Sequence, residues 1–129
     1  MKLDIIVIDD SPLQLSVTSK LIAKNDHLNL IGIYSNPFLG LSAVNDQKAD
    51  LVLLDIEMPE IDGLSLLKLF NDSVEVILNS ANFFYENQAH DSRAVDFLRK
   101  PLTRSKLNTS VSRVLALNEI KNSPTQIVM

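Results

Sequence analysis

Side chains able to do chemistry follow the apolar runs of this sequence, at the point where each run ends. They are three carboxylates, a hydroxyl and an ammonium group: Asp9, Asp10, Asp55, Ser80 and Lys100. Carboxylates within ~5 Å of one another repel by about 3 kcal/mol per pair at an effective dielectric constant of ~20, so such a cluster requires a neutralising cation. Oxygen ligands with room for water suit Mg²⁺, or Mn²⁺. A metal, a nucleophilic carboxylate, a lysine and a hydroxyl together suit phosphoryl transfer.

The elements that must position these groups alternate along the chain. Short runs that are apolar on both faces and rich in β-branched residues are typical of strands buried in a parallel sheet. The predicted strands are residues 3–8, 28–34, 51–55, 74–78 and 95–98. Stretches with helical spacing lie between them, which indicates repeated βαβ units, right-handed crossovers and an α/β architecture. In such sheets ligands bind beyond the carboxyl ends of the strands, so the five groups should share one rim.

Helix starts are marked by capping residues. Ser11-Pro12 and Asn36-Pro37 each place a side-chain cap before a proline at the first helical position. The spacing predicts a third helix over 64–70, and Thr103 or Ser105 can cap the last one. Residues 82–93 are polar and only weakly periodic, so they are predicted as a short or mobile helix.

Composition excludes several classes of protein. The 129 residues suit a single domain, 46% of them are hydrophobic, and the formal net charge is −4. With no cysteine there is no disulfide framework and no thiolate zinc site, which fits a cytoplasmic location. No apolar run approaches the ~18 residues of a membrane span. The acidic balance weakens any case for direct nucleic-acid binding.

The quoted residues, in this order along the chain, resemble the receiver domain of two-component response regulators. The motifs are Asp9-Asp10, Asp55 in the segment LLDIEMPEIDG, Ser80-Ala81 and the segment AVDFLRKP that contains Lys100. The resemblance covers residues 1–120 and implies a flavodoxin-like (βα)₅ fold with strand order 2-1-3-4-5. Residues 121–129 are then a tail or the start of a linker. Two positions depart from the commonest pattern, with Ser for Thr at 80 and Phe for Tyr at 97.

The resemblance also implies a role for each residue of the site. Asp55 is the expected phosphoacceptor. Mg²⁺ is expected on Asp10, Asp55 and the backbone carbonyl of Glu57, with Asp9 acting mainly through water. Ser80 and Lys100 are expected to hold phosphoryl oxygens, and Ser80 and Phe97 to act as switch residues. From their residue types, Pro59 and Gly63 shape the loop after Asp55, through a fixed φ and a glycine conformation, and Pro101 follows Lys100. The Glu57 side chain is expected in solvent, where it could gate water or a partner.

A narrower similarity concerns the group that includes LytTR-type transcription regulators. It rests on the segments DIEMP and FLRKPL and on the short interval between Ser80 and Phe97. In that group a DNA-binding domain usually follows the receiver, whereas this sequence stops at Met129. The chain is therefore either a stand-alone receiver or a domain of a longer protein.

The function implied is a phosphorylation-dependent switch, not a turnover enzyme. A sensor histidine kinase or phosphotransfer protein would donate to Asp55, and the surface of the fourth helix, last strand and last helix would pair two copies or control an output. No membrane partner is expected. Two alternatives stay open: a receiver-like interaction module that is not phosphorylated, and a phosphohydrolase with an aspartyl-phosphate intermediate. The second would look for an Asp two residues after the nucleophile, where this chain has Glu57.

Overall fold

Residues 2–121 of the computed structural model are described here, and within them five parallel strands form one sheet. The strands are β1 (Leu3–Ile8), β2 (Leu28–Tyr34), β3 (Leu51–Asp55), β4 (Glu75–Ser80) and β5 (Asp96–Arg99). Their order across the sheet is β2-β1-β3-β4-β5. The predicted α/β architecture and strand order are confirmed. The predicted tail, 121–129, lies outside the described residues except for Lys121.

Helices connect the strands and cover both faces of the sheet. They are α1 (Pro12–Ala23), α2 (Pro37–Gln47), α3 (Gly63–Leu67), α4 (Glu86–His90) and α5 (Arg104–Lys121). Three caps predicted from the sequence are present: Ser11 Oγ accepts from the Gln14 amide, Asn36 Oδ1 from two amides of α2, and Thr103 Oγ1 from the Lys106 amide. These bonds satisfy amides that a helix start leaves unpaired, and thereby fix where each helix begins.

Two hydrophobic cores lie on opposite faces of the sheet. Alternate side chains of β1 and β3 point into each core, which is why both strands are apolar on both faces. One core joins the sheet to α2, α3 and α4, and includes Leu54, Leu66 and Ala89. The other joins it to α1 and α5 and includes Ile22 and Val111. The sheet is thus held from both sides, with its carboxyl-end rim left open.

Two strands and two helical segments differ from the sequence prediction: β4 covers Glu75–Ser80 and not residues 74–78, and β5 covers Asp96–Arg99 and not residues 95–98. The third helix ends at Leu67 and not at residue 70. The chain continues from there in turns, and these turns still bury Phe70. The uncertain segment 82–93 forms a 3-10 turn (Phe83–Tyr85) that runs into the five-residue α4. Few apolar residues in this segment face the core, and Ala89 is the buried residue of α4. Packing therefore stabilises only a short helix there.

Gly63 owes its place to a close backbone approach. Among the described residues no glycine has positive φ, so the special conformation expected for Gly63 was wrong. A Cβ at Gly63 would instead lie 2.4 Å from the Asp55 carbonyl oxygen and 2.8 Å from the Ile56 Cα. The Gly63 amide also donates to the Ile56 carbonyl at 2.8 Å. The start of α3 can therefore pack directly on the end of β3.

We expect Gly63→Ala to destabilise the fold by about 2 kcal/mol, because the obstructing atoms are backbone and cannot turn aside. Gly32→Ala is the matched control, since its Cβ would meet the Tyr34 ring at 2.8 Å, and a ring can shift. Urea unfolding of both variants and the wild type gives the comparison. Equal losses in the two variants would contradict this explanation of Gly63.

Candidate functional site

Aspartates from two neighbouring central strands form the base of the rim. Asp9 directly follows β1 and Asp55 is the last residue of β3, and their exposed fractions are only 3% and 4%. Asp10, the next residue along, is exposed. One carboxylate oxygen from each of the three lies within 4.8 Å of the other two. The structure therefore brings together the carboxylates that the sequence placed at this edge.

Lys100 links the two buried carboxylates. Its Nζ lies 3.0 Å from Asp9 Oδ2 and 3.2 Å from Asp55 Oδ1, and its side chain is 15% exposed. Because β4 separates β5 from β3, the lysine stem must cross the end of β4 to reach them. The Lys100 amide is held by the Ser80 carbonyl at 2.9 Å, and the peptide bond from Lys100 to Pro101 is cis.

Backbone amides fix the remaining orientation of the carboxylates. The Ser11 amide donates to Asp9 Oδ1 at 3.0 Å, and the Glu57 amide donates to Asp55 Oδ1 at 3.4 Å. Asp55 Oδ1 thus accepts from both Glu57 and Lys100. Within residues 2–121, no donor hydrogen-bonds to Asp55 Oδ2. Both oxygens of Asp9 accept hydrogen bonds, so Asp55 is the buried carboxylate with a free oxygen.

Burial and like charge together disfavour ionised Asp55. Burial is the larger cause and the negative charge of Asp9 the next, and they raise the pKa of Asp55 from 3.8 to about 7, although Lys100 and the Glu57 amide act in the opposite direction. Burial by itself would lower the pKa of Lys100, but its contacts with Asp9 and Asp55 raise it above the ordinary value. The ammonium group therefore stays charged, and burial and like charge act against the ionised form of Asp55.

Ser80 ends β4 at the same rim, and its hydroxyl is fully buried. Ser80 Oγ donates to Glu57 Oε1 at 2.9 Å and accepts from the Asn82 amide at 2.9 Å. Glu57 is exposed, as expected, but its side chain is engaged with the predicted phosphoryl-binding hydroxyl. Sequence reasoning missed this contact, because spacing along the chain does not show which side chains meet across two loops.

Phe97 lies one layer below the rim on the opposite face of the sheet from Lys100. It pairs with Leu78 of β4, while Ser80 pairs with Arg99, and it packs half-buried against the core beneath α4. A cavity of about 140 Å³ beside it is lined by residues of α4, β5 and α5. This position joins the rim to the predicted partner surface.

The surface beside Phe97 carries charge pairs and exposed aromatic rings. Arg99 pairs with Glu86 at 3.0 Å and its guanidinium carbon lies 5.3 Å from the centroid of the Phe83 ring. Phe83 stacks on Phe84, with 4.8 Å between ring centroids, and both are exposed. Arg113 of α5 pairs with Asp96 of β5 at 2.7 Å. These contacts link α4, β5 and α5.

The remaining predicted residues frame the rim without entering it. Pro59 and Pro101 are exposed, and Gly63 is buried behind Asp55. None of the helices in the described part of the chain has the length and apolar character needed to cross a bilayer.

The donor set fits a hard divalent cation. Three carboxylates and one ammonium group carry a formal net charge of −2, and hard cations prefer carboxylate oxygens as ligands. Asp10 is exposed and offers an oxygen beside the two buried ones, so a cation could enter from solvent. A charge of +2 would relieve the repulsion that raises the pKa of Asp55.

The same arrangement is found in a known family. A family model described as "Response regulator receiver domain" matches residues 5–112. The chain belongs to the response regulator receiver family. It is also 35% identical over 115 residues to an "Uncharacterized response regulatory protein" of Vibrio cholerae, which covers 88% of this chain and 48% of that relative. The chain spans less than half the length of the first curated relatives it matches.

Solved receiver structures have the same fold. The signal receiver domain of the putative response regulator NarL from Mycobacterium tuberculosis superposes with a TM-score of 0.76 at 25% identity, covering 95% of this chain and 98% of that one. A complex titled CheX-CheY-BeF3-Mg+2 from Borrelia burgdorferi gives a TM-score of 0.78 at 25% identity, over 88% and 89% of the two chains. The flavodoxin-like receiver fold is therefore established, and the chain is a receiver domain of two-component signalling.

The raised pKa of Asp55 predicts a specific pH dependence. Between about pH 4 and pH 7 the folded protein binds a proton at Asp55 that the unfolded chain has released, so the free energy of unfolding falls as pH rises through this window. In buffers free of divalent cations, Asp55→Asn should therefore match the wild type near pH 4 and exceed its stability near pH 8, by on the order of 3 kcal/mol.

Urea unfolding at a series of pH values measures this difference. Asp72→Asn is the control, since Asp72 is an exposed aspartate away from the rim, and its curve should stay parallel to that of the wild type. Parallel curves for Asp55→Asn as well would show that Asp55 is not destabilised by burial and Asp9.

Proposed function

We propose that this receiver domain is a phosphorylation-dependent switch with Asp55 as the phosphoacceptor. The observation that carries the proposal is the Lys100 bridge: one ammonium group bonds two buried carboxylates of a three-carboxylate cluster at the sheet rim. Of the two buried carboxylates, Asp55 is the one with an oxygen that has no protein donor. This combination supplies a nucleophile, a cation-binding pocket and a group that can hold phosphoryl oxygens.

The donor is a phosphohistidine on a sensor kinase or phosphotransfer protein. Asp55 Oδ2 attacks the phosphorus, an O–P bond forms as the N–P bond breaks, and the bonding pair returns to the imidazole nitrogen, which takes a proton from solvent. No redox change occurs. Lys100 remains beside Asp55 and donates to a phosphoryl oxygen. It moves away from the Asp9 carboxylate, because a phosphoryl group with a charge of about −2 is the stronger acceptor.

Asp10, Asp55 and the backbone carbonyl of Glu57 would hold Mg²⁺, or Mn²⁺, with Asp9 acting mainly through water. The ion, when bound, neutralises charge on the transferring phosphoryl oxygens. The chain's own contribution is to keep these carboxylates together before the ion arrives. The two cores and the Lys100 bridge do so, although burial and the charge of Asp9 disfavour the ionised form of Asp55.

Phosphorylation changes the partners of Ser80. The phosphoryl group adds a charge of about −2, and Ser80 must give up Glu57 to donate to it. Movement of Ser80 leaves room in the layer that contains Phe97, and Phe97 packs beneath α4. The surface of α4, β5 and α5 then changes, and we propose that it pairs two copies of the domain or controls an output domain. The LytTR-like segments are consistent with an output on DNA that a separate domain would supply.

A turnover phosphohydrolase is less well supported. Such an enzyme would need an acid two residues after the nucleophile that reaches a leaving group. The residue there is Glu57, whose carboxylate accepts the Ser80 hydroxyl at 2.9 Å. The unphosphorylated interaction module is disfavoured by the open Asp55 Oδ2 beside a complete cluster. The proposed protein stores a phosphoryl group and loses it by hydrolysis.

The first test is direct phosphorylation. Incubation with Mg²⁺ and acetyl phosphate should add about 80 Da to the intact mass, the mass of one phosphoryl group. Asp55→Asn should show no adduct, whereas Asp72→Asn should be modified like the wild type. An adduct on Asp55→Asn would contradict the assignment of Asp55, and an unmodified wild type would favour the interaction module.

The second test concerns the contact of Glu57 with Ser80. Glu57→Ala frees the hydroxyl and removes a negative charge, so the adduct should last about 3–10 times longer, as expected from the net contribution of about 1 kcal/mol of a typical hydrogen bond. Its stability should stay within ~0.5 kcal/mol of the wild type, since Glu57 is exposed and the Ser80 hydroxyl can donate instead to the Asn82 carbonyl, 3.4 Å away. Glu60→Ala, an exposed acid of the same loop, is the control. An unchanged decay of intact mass in Glu57→Ala would refute competition for Ser80.

A further inference from the structure

Two buried side-chain atoms within residues 2–121 have no hydrogen-bond partner: Asn79 Oδ1 and Ser110 Oγ. Ser110 lies on the buried side of α5, among the apolar residues of the core. Asn79 is different, because it occupies β4 directly before Ser80 and is only 3% exposed. A buried amide oxygen without a hydrogen-bond donor weakens a fold, so this one calls for an explanation in the site.

The sheet register places Asn79 on the face that Lys100 crosses. Asn79 pairs with Asp55 of β3 on one side and with Leu98 of β5 on the other, and residues paired in register point to the same face. Lys100 follows Leu98 by two residues, so its side chain leaves from that face too. To bond Asp55, the Lys100 stem must pass over β4, where Asn79 lies.

The ammonium group has one donor left. Lys100 Nζ carries three N–H groups, of which two donate to Asp9 and Asp55 in this structure. In the proposed phosphorylated state a phosphoryl oxygen replaces Asp9 as acceptor and the ammonium group moves away from Asp9, so its third N–H, which has no acceptor in this structure, can turn to a further one. A neutral amide oxygen on β4, the strand that the Lys100 stem crosses, suits this N–H because it adds no charge to the cluster.

We propose that Asn79 is a positioning residue for Lys100, whose Oδ1 accepts an N–H of the ammonium group in the phosphorylated state. This role rests on the proposed function. The bond is absent in the structure described and forms only when Lys100 releases Asp9, so Asn79 favours the phosphorylated state over the resting one. The cost of that preference is that Asn79 Oδ1 has no hydrogen-bond partner in the resting state.

The experiment compares Asn79→Leu, which keeps the shape and removes the acceptor, with Ser110→Ala, which removes the other unpartnered atom. Both should raise the midpoint of thermal unfolding by about 2–5 °C, because each removes an unsatisfied buried polar group. The variants should then separate in binding. With Mg²⁺ in excess, beryllium trifluoride, a phosphomimetic, should bind Asn79→Leu about tenfold more weakly by calorimetry and Ser110→Ala like the wild type.

Two further measurements distinguish positioning from a general structural effect. Mg²⁺ alone should bind all three proteins within about twofold, because Asn79 contributes no metal ligand. In the Mg²⁺ and beryllium trifluoride complex, the ¹⁵N signal of the Lys100 ammonium, assigned with Lys100→Arg, should be protected from exchange in the wild type and in Ser110→Ala, and lost in Asn79→Leu.

The outcomes are separable. Wild-type affinity for beryllium trifluoride in Asn79→Leu, or an unchanged Lys100 signal, would overturn the role of Asn79 alone. Equal weakening in both variants would assign the effect to packing and overturn it as well. Failure of the wild type to bind beryllium trifluoride and to form the acetyl phosphate adduct would overturn the proposed function together with this role.

Discussion

The site depends on two buried carboxylates, Asp9 and Asp55, that share one lysine. Asp9 and Asp55 come from adjacent strands and are both buried, so their repulsion is screened little by solvent. Lys100 reaches them from two strands away and bonds both. The rest of the fold holds this unfavourable charge cluster together. The two cores fix the strand ends, and Gly63 lets α3 pack directly behind Asp55.

This arrangement places a destabilising charge cluster at the site of the proposed chemistry. The pKa of Asp55 is raised to about 7 by burial and by Asp9, so the ionised site is under electrostatic strain before any ligand binds. A cation or a phosphoryl group changes that balance locally. The unpaired oxygen of Asn79 has the same character, since it also lowers stability in the resting protein. Both features lower the stability of the folded state, and both suit a site that responds to added charge.

Much of this could be predicted from the sequence, for identifiable reasons. Buried parallel strands need continuous apolar residues, and helix starts need caps, so the strands and the caps Ser11 and Asn36 were visible as patterns. The strand order came from the resemblance and not from periodicity, which does not show which strands pair. The Glu57 contact with Ser80 depends on two side chains meeting across loops and had no local signal. Asn79 did leave a local signal, a polar residue directly after an apolar strand run, but its meaning required the register with Asp55.

The hydroxyl of Ser80 carries a single proton, and this has a quantitative consequence for signalling. In the resting protein that proton lies on the hydrogen bond to Glu57. In the proposed switch, Ser80 holds a phosphoryl oxygen only in the fraction of molecules in which that bond is open, so the equilibrium constant for switching is the intrinsic one multiplied by this fraction. Under that proposal, each tenfold preference for the closed bond with Glu57 lowers the switching equilibrium constant of the phosphorylated protein tenfold.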